Sequence, residues 1–180
     1  MTLFNALMFA SSILSPGEAI IHASVPIAQQ VIQSNLKELA IHRIRACGGE
    51  VFFEHQWAAP GVWRPDAKLP GDPRLCFLLG KHYAAHPVEV QLFASGDNHP
   101  EQFTDLDAVL LMTFTKVRWL VLFDTSITDA SLPFIRHCRA LERLDVEGTK
   151  ITQAGAEQLK QQSIRRLDVY GDFATDDQAP

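Results

Sequence analysis

Charge is nearly missing from the first 36 of the chain's 180 residues, which carry Glu18 alone. No Lys or Arg precedes Lys37, so the basic start of a secretory leader is lacking. The apolar run Leu3–Leu14 is interrupted by Asn5, Ser11 and Ser12. It is shorter than the roughly 20 residues a helix needs to cross a bilayer. A buried helix is the expectation there, with no membrane attachment. Cysteine is scarce too. Cys47, Cys76 and Cys138 are far apart and form no CxxC pair, which speaks against a thiolate zinc site. Three scattered thiols fit buried side chains in a reducing, cytoplasmic setting.

The motifs of common chemistry are also missing. There is no GxGxxG, no GxxxxGK[ST] and no GxSxG. His82 and His86 are four apart, but the segment His82-Tyr83-Ala84-Ala85-His86 lacks the Glu of HExxH. They read as two loop histidines. Cys47 precedes Gly48-Gly49 at the end of a helical stripe, where the dipole raises rather than lowers a thiol pKa. The expectation is a non-enzyme with no metal and no cofactor. The net charge of −5 disfavours nucleic acid and suits a basic protein partner.

The residues present divide the chain. Ser15-Pro16-Gly17-Glu18 has the pattern of a helix start, and Ser24-Val25-Pro26 is expected to interrupt that helix. From Ile27 to Ile44 the apolar residues recur at helical spacing, and Gly48-Gly49 stops them. Residues 1–49 are therefore read as an N-terminal helical cap. Residues 50–87 are an irregular lead-in. In it Val51-Phe52-Phe53 is a short buried strand and Glu54–Pro73 a loop holding Trp57 and Trp63. A short helix follows, capped by Asp72-Pro73 and closed by Gly80. Val88, Val90 and Leu92 alternate as in a half-buried strand.

Beyond that strand the chain repeats. Val117–Thr128 aligns with Leu141–Thr152, and then with Ile164–Thr175, through Leu120, Leu144 and Leu167. Phe103-Thr104-Asp105 lies 24 residues before Ile127-Thr128-Asp129, which marks an irregular earlier copy. Its strand is the Val90/Leu92 segment, displaced by an insertion of about six residues near Ser95–Pro100. In each copy two alternate apolar residues face inward from a strand. A third, Ile127 or Ile151, turns the chain, and a helical stretch follows at residues 105–114, 129–138 or 153–162. One unit cannot bury its apolar face alone, whereas stacked units share a core. Thr125, Thr149 and Asp172 are placed to hydrogen-bond the turn after each strand.

The pattern LxxLxLxxTxIT with this period resembles the leucine-rich repeat family in its short bacterial form. His137-Cys138-Arg139-Ala140-Leu141 is similar to the cysteine-containing subtype. The resemblance covers residues 103–175, and residues 88–175 are assigned to the repeats, with residues 176–180 as a disordered tail. It implies an α/β fold: a short solenoid with parallel strands on one face, helices on the other, and the helical cap over its first unit. It further implies a strand face that binds protein and no catalytic role. An inhibitor or immunity protein against a toxin, and an adaptor docking through its N-terminal helices, are the alternatives.

Alternation puts three columns of side chains on the outer strand face. The first is Glu89, Trp119, Arg143 and Arg166. The second is Gln91, Val121, Asp145 and Asp168. The third is Phe93, Phe123, Glu147 and Tyr170. Outward aromatics are unusual on a monomer, and Trp, Tyr and Arg dominate interface energetics. The expected partner site is Phe93, Trp119, Val121, Phe123, Arg143, Asp145, Glu147, Arg166, Asp168 and Tyr170. Equally, residues 54–70 with Trp57 and Trp63 can fold over these aromatics and cover them. Cross-strand pairing of the Arg and Asp columns is the simplest account of the charges taken alone.

Overall fold

The computed structural model describes residues 19–59, 62–93, 99–162 and 168–171. Ser15, Pro16, Glu18, Arg166, Leu167, Asp172 and the tail expected at 176–180 lie outside them.

Helix α1 spans Ala19–Ala46. It runs unbroken through Ser24-Val25-Pro26, contrary to the expected interruption. A proline's φ is already helical, and it deletes only one i→i−4 bond while the rest of the ladder continues. Ile41, Ile44 and Ala40 of α1 enter the core. The helix ends as expected, with the Gly49 N–H donating to the Ile44 carbonyl. A Cβ on Gly49 would come within 2.7 Å of the Gln91 carbonyl, so glycine is what lets chain and sheet meet there.

The main sheet contains β1 (Glu50–Phe53), β4 (Pro87–Leu92), β5 (Trp119–Leu122), β6 (Arg143–Asp145) and β7 (Asp168–Tyr170) in the order β1-β4-β5-β6-β7. The strands β4 to β7 are mutually parallel, and β1 closes the β4 edge antiparallel. The segment read as a loop contains a small hairpin, β2 (Trp57–Ala59) with β3 (Val62–Trp63). Helix α2 (Pro73–Leu79) starts as expected, its Asp72 side chain accepting from the Arg74 N–H.

Parallel neighbours need a crossover, and each crossover carries a helix. These are α3 (Asp105–Ala108), continued by a 3-10 turn over Val109–Thr113, then α4 (Leu132–His137) and α5 (Gln153–Gln162). They fall in the three helical stretches expected from the repeat. The chain is thus mixed α/β with a mostly parallel five-stranded sheet.

The core follows the repeat. Phe103, Ile127 and Ile151 are stacked turn residues, and Leu111, Ile135 and Leu159 line the helical side. On the strands Val90 pairs with Leu120 and Leu120 with Leu144, all without exposure. Val90 and Leu120 are 30 residues apart, as the six-residue insertion requires. After β6 the register departs from the expected alignment. Leu144 pairs with Val169, not Leu167. A two-residue slip leaves every side chain on the same face, so alternation could not distinguish the two registers. The observed one brings Gly171 against the Val146–Glu147 peptide, where a Cβ would meet backbone at 3.0 Å.

Polar side chains join successive units. The Asp105 carboxylate accepts from the Thr128 N–H at 2.9 Å, the Thr128 hydroxyl at 2.8 Å and the Ser131 hydroxyl. Twenty-four positions later, Asp129 accepts from the Thr152 N–H at 2.9 Å and hydroxyl at 2.7 Å. Gln153 stands at the next position of this ladder, turning instead to Glu157 in its own helix. The Thr125 and Thr149 hydroxyls donate to the Leu122 and Val146 carbonyls, as the sequence indicated. Cys138 is buried with its thiol 3.6 Å from the Leu111 carbonyl of the preceding unit, and burial pushes its pKa up to about 12.

Helix α1 is tied to this array by charge. Arg43 pairs with Asp107 at 2.7 Å and reaches the Gln102 carbonyl. Lys37, almost fully buried, donates to the Tyr83 and Ala85 carbonyls. Glu38 accepts from the His82 backbone N–H, and His82 Nδ1 lies 3.0 Å from its carboxylate. His82 stands in the turn after α2, a loop histidine as expected, with its ring turned inward. It is buried, stacked on Phe53 at 4.8 Å, while His86 is exposed. Among the described residues no helix is long and apolar enough to cross a membrane.

Candidate functional site

The outer face of the sheet is set by the register. Glu89 neighbours Trp119, and Trp119 neighbours Arg143, as the first column requires. Gln91, Val121 and Asp145 likewise form the second. The slip at β7 then moves both columns on. Arg143 faces Asp168, and Asp145 faces Tyr170, in place of Arg166 and Asp168. Tyr170 consequently leaves the third column, where it was expected beside Glu147. Arg166 lies outside the described residues.

These side chains differ in exposure. Arg143, Glu147, Asp168 and Tyr170 are exposed, while Phe93, Trp119, Val121, Phe123 and Asp145 are half-buried. Tyr170 is 47% exposed, and its ring carries the Arg143 guanidinium 4.8 Å from its centroid. That contact is a cation–π pair across strands. Asp145 turns partly back to the chain, accepting from the Glu147 N–H at 3.2 Å.

The question of the tryptophan segment has a divided answer. The hairpin β2–β3 lies over the β1/β4 end of the sheet, with Trp63 stacked on Phe52 at 4.8 Å. Trp57, Trp63 and Trp119 line a pocket of about 100 Å³ there, together with Val88, Glu89, Glu54 and Arg118. Trp119 and Glu89 are therefore partly roofed. The hairpin does not reach Val121, Phe123 or Tyr170 in that pocket's lining.

At this end the electrostatics are specific. Arg118 makes a two-pronged pair with Glu142 at 2.9 and 3.0 Å, and its guanidinium lies 5.3 Å from the Trp57 ring centroid. Glu89 is buried, and burial pushes its carboxyl pKa up against the opposing effects of its Gln91 hydrogen bond and the Arg143 charge. Sequence reasoning placed Glu89 on the outer face but not in the site. It named Trp57 and Trp63 as a cover for the outer aromatics, and missed Arg118 as a lining residue. The available signal was two tryptophans in a Pro- and Gly-rich stretch, which demand an apolar surface to pack on.

No group of three or more His, Cys, Asp or Glu side chains among the described residues is arranged to hold a metal ion.

Compared with known protein families, curated proteins and solved structures, the chain matches none.

Proposed function

We propose that the chain is a short leucine-rich-repeat solenoid that binds another protein through its strand face, and that the partner presents a basic surface. The observation that carries this reading is the outer face of β5, β6 and β7. Trp119, Val121 and Tyr170 share it with Asp145 and Asp168, and Phe123 and Glu147 stand in the turns just after β5 and β6. Aromatic anchors ringed by charge are the composition of a binding patch rather than of an idle surface. The acidic residues there, and the net charge of −5, favour a basic partner. The repeat spacing and the Asp–Thr ladder support the solenoid reading.

The test uses a photo-reactive amino acid placed at Val121, or at Gln158 on the exposed side of α5, in the full chain expressed in its own host. A basic protein captured from position 121 and not from 158 is then purified. It must bind the unmodified chain, and binding must fall at least roughly tenfold with Val121→Arg. Capture from position 158 alone, or equal binding by Val121→Arg, removes the proposal.

A second reading has an observation of its own. Ile32, Leu36 and Leu39 lie on one stripe of α1 with exposures of 57, 38 and 53%. They favour an adaptor that docks α1 against the apolar surface of a larger assembly. Ile32→Glu with Leu39→Glu would then abolish assembly while leaving the Val121 contact intact. A pair of substitutions without effect on assembly removes this reading.

A further inference from the structure

The pocket under the tryptophan hairpin holds a carboxylate with one unpaired oxygen. Glu89 is only 5% exposed. Its Oε1 accepts from the Gln91 amide, and its Oε2 has no hydrogen-bond partner among the described residues. Buried polar atoms are nearly always paired, and an isolated buried carboxylate is especially costly. Among the described residues the nearby cations give only partial relief, Arg143 acting on the carboxylate through its charge and not through a hydrogen bond to Oε2. Arg118 is committed to Glu142, and Arg143 is drawn over Tyr170. Lys116 pairs with Glu54 at 3.3 Å.

The walls indicate what would satisfy that oxygen. All three tryptophans of the chain, Trp57, Trp63 and Trp119, line this one pocket. Indole faces attract cations, and the Trp57 face already carries the Arg118 guanidinium. A volume of about 100 Å³ is small beside the roughly 300–1,000 Å³ of sites that take whole ligands, and suits the end of one side chain.

We propose that this pocket receives the cationic head of an arginine or lysine side chain from the partner, its charge set against the Glu89 carboxylate between the tryptophan faces. This rests on the strand-face reading for the source of the side chain, and it names the contact that anchors the partner at the β4/β5 end. Glu54 and Glu89 are the acidic groups that draw the head in, against the charge of Arg118 in the lining.

The test needs no partner. Nα-acetyl-arginine amide and Nα-acetyl-lysine amide are titrated into the full chain, with Nα-acetyl-citrulline amide as the uncharged analogue of the first. Trp57 and Trp119 line this pocket while Trp63 also borders the neighbouring cavity at Gly49 and Phe52, so the individually assigned Trp57 and Trp119 indole N–H resonances report on the pocket and intrinsic fluorescence on both. The expected result is saturable binding of a cationic probe with Kd on the order of 1–10 mM. Citrulline amide should not saturate. The arginine and lysine arms decide which head fits better. Glu89→Gln should weaken binding roughly tenfold, and Trp57→Leu several-fold. Trp57 is 39% exposed, so its replacement leaves the core in place if the Gln variant folds poorly.

The proposal is overturned if neither cation saturates a folded chain at about 50 mM, well above the expected Kd. It is equally overturned if citrulline amide binds as tightly, or if both variants bind as the unmodified chain does. Failure here with Val121→Arg still breaking partner binding would remove the pocket and keep the strand face. Probe binding with an inert Val121→Arg would do the reverse.

Discussion

Replacing Asp129 by Ala removes one rung of the ladder that ties the β6 unit to the one before it. The carboxylate accepts two hydrogen bonds from Thr152, at 2.9 Å from its N–H and 2.7 Å from its hydroxyl. Thr152 is 6% exposed, so water cannot freely replace both bonds. A hydrogen bond to a charged group contributes about 1.5–3 kcal/mol, and a buried donor left unpaired costs a comparable amount. The two bonds share one half-exposed carboxylate and do not add. Asp129→Ala should therefore cost about 2–3 kcal/mol. In a chain of this size that lowers Tm by roughly 5–10 °C. Urea denaturation should show a lower midpoint with an unchanged slope. Gln153→Ala is the matched control, since the ladder ends there, and it should stay within about 0.5 kcal/mol. A double-mutant cycle with Thr152→Val isolates the hydroxyl bond, with an expected coupling of about 1 kcal/mol. An Asp129→Ala loss no larger than that of Gln153→Ala, together with zero coupling, would falsify the ladder as a stabilising device.

Gly148 has φ +70, and a Cβ there would lie 2.0 Å from Asp124 Oδ1, so Gly148→Ala should cost about 2–3 kcal/mol by urea denaturation. Asp124 has φ 55 and gains from glycine by itself, so the reference is Asp124→Gly alone: adding Gly148→Ala to it should cost only about 1 kcal/mol, due to φ; an undiminished cost would contradict the assigned contact. Iodoacetamide at pH 8 should label Cys76 first, because Cys138 is buried with its pKa pushed to about 12 and Cys47 is buried with its pKa raised; peptide mapping of the native chain reads the order.

Burial raises Asp105, but its bonds to Ser131 and Thr128 outweigh this and hold its pKa below the ordinary 3.8. Its stabilising contribution is then complete above pH 3.8 and is lost as pH falls through the lower folded value, so the acid limb of a Tm–pH curve should flatten in Asp105→Asn. Glu89 has the opposite sign. Its pKa is raised by burial above 4.5, so its ionised form opposes folding at neutral pH. Glu89→Gln should raise Tm at pH 7, and the gain should vanish at low pH; a lower Tm at pH 7 would contradict its unpaired burial.

The array was legible from the sequence where inward positions admit only apolar residues. Leu120 and Leu144 on the strands, and Leu132, Ile135, Ala156 and Leu159 on the helices, recur at one spacing because they stack on each other. The last strand was misaligned because Leu167 and Val169 satisfy the same alternation, and Gly171 discriminates only when the neighbouring backbone is known. The β1–β4 pairing depends on where α1 places its end, which no local pattern encodes. Glu89 was read as an outward strand residue and was correctly faced. Its burial comes from a hairpin some thirty residues earlier, whose landing place is a tertiary matter. The same applies to His82 and Glu38, which are brought together by the packing of α1 against the segment after α2.

The central claim is that the strand face is the binding surface. Site-specific photo-cross-linking from Val121, compared with Gln158 on the helical side, tests it most directly. The account predicts a basic protein captured from Val121 alone, whose binding to the purified chain weakens at least roughly tenfold with Val121→Arg. Capture confined to Gln158, or a captured protein indifferent to Val121→Arg, would contradict it.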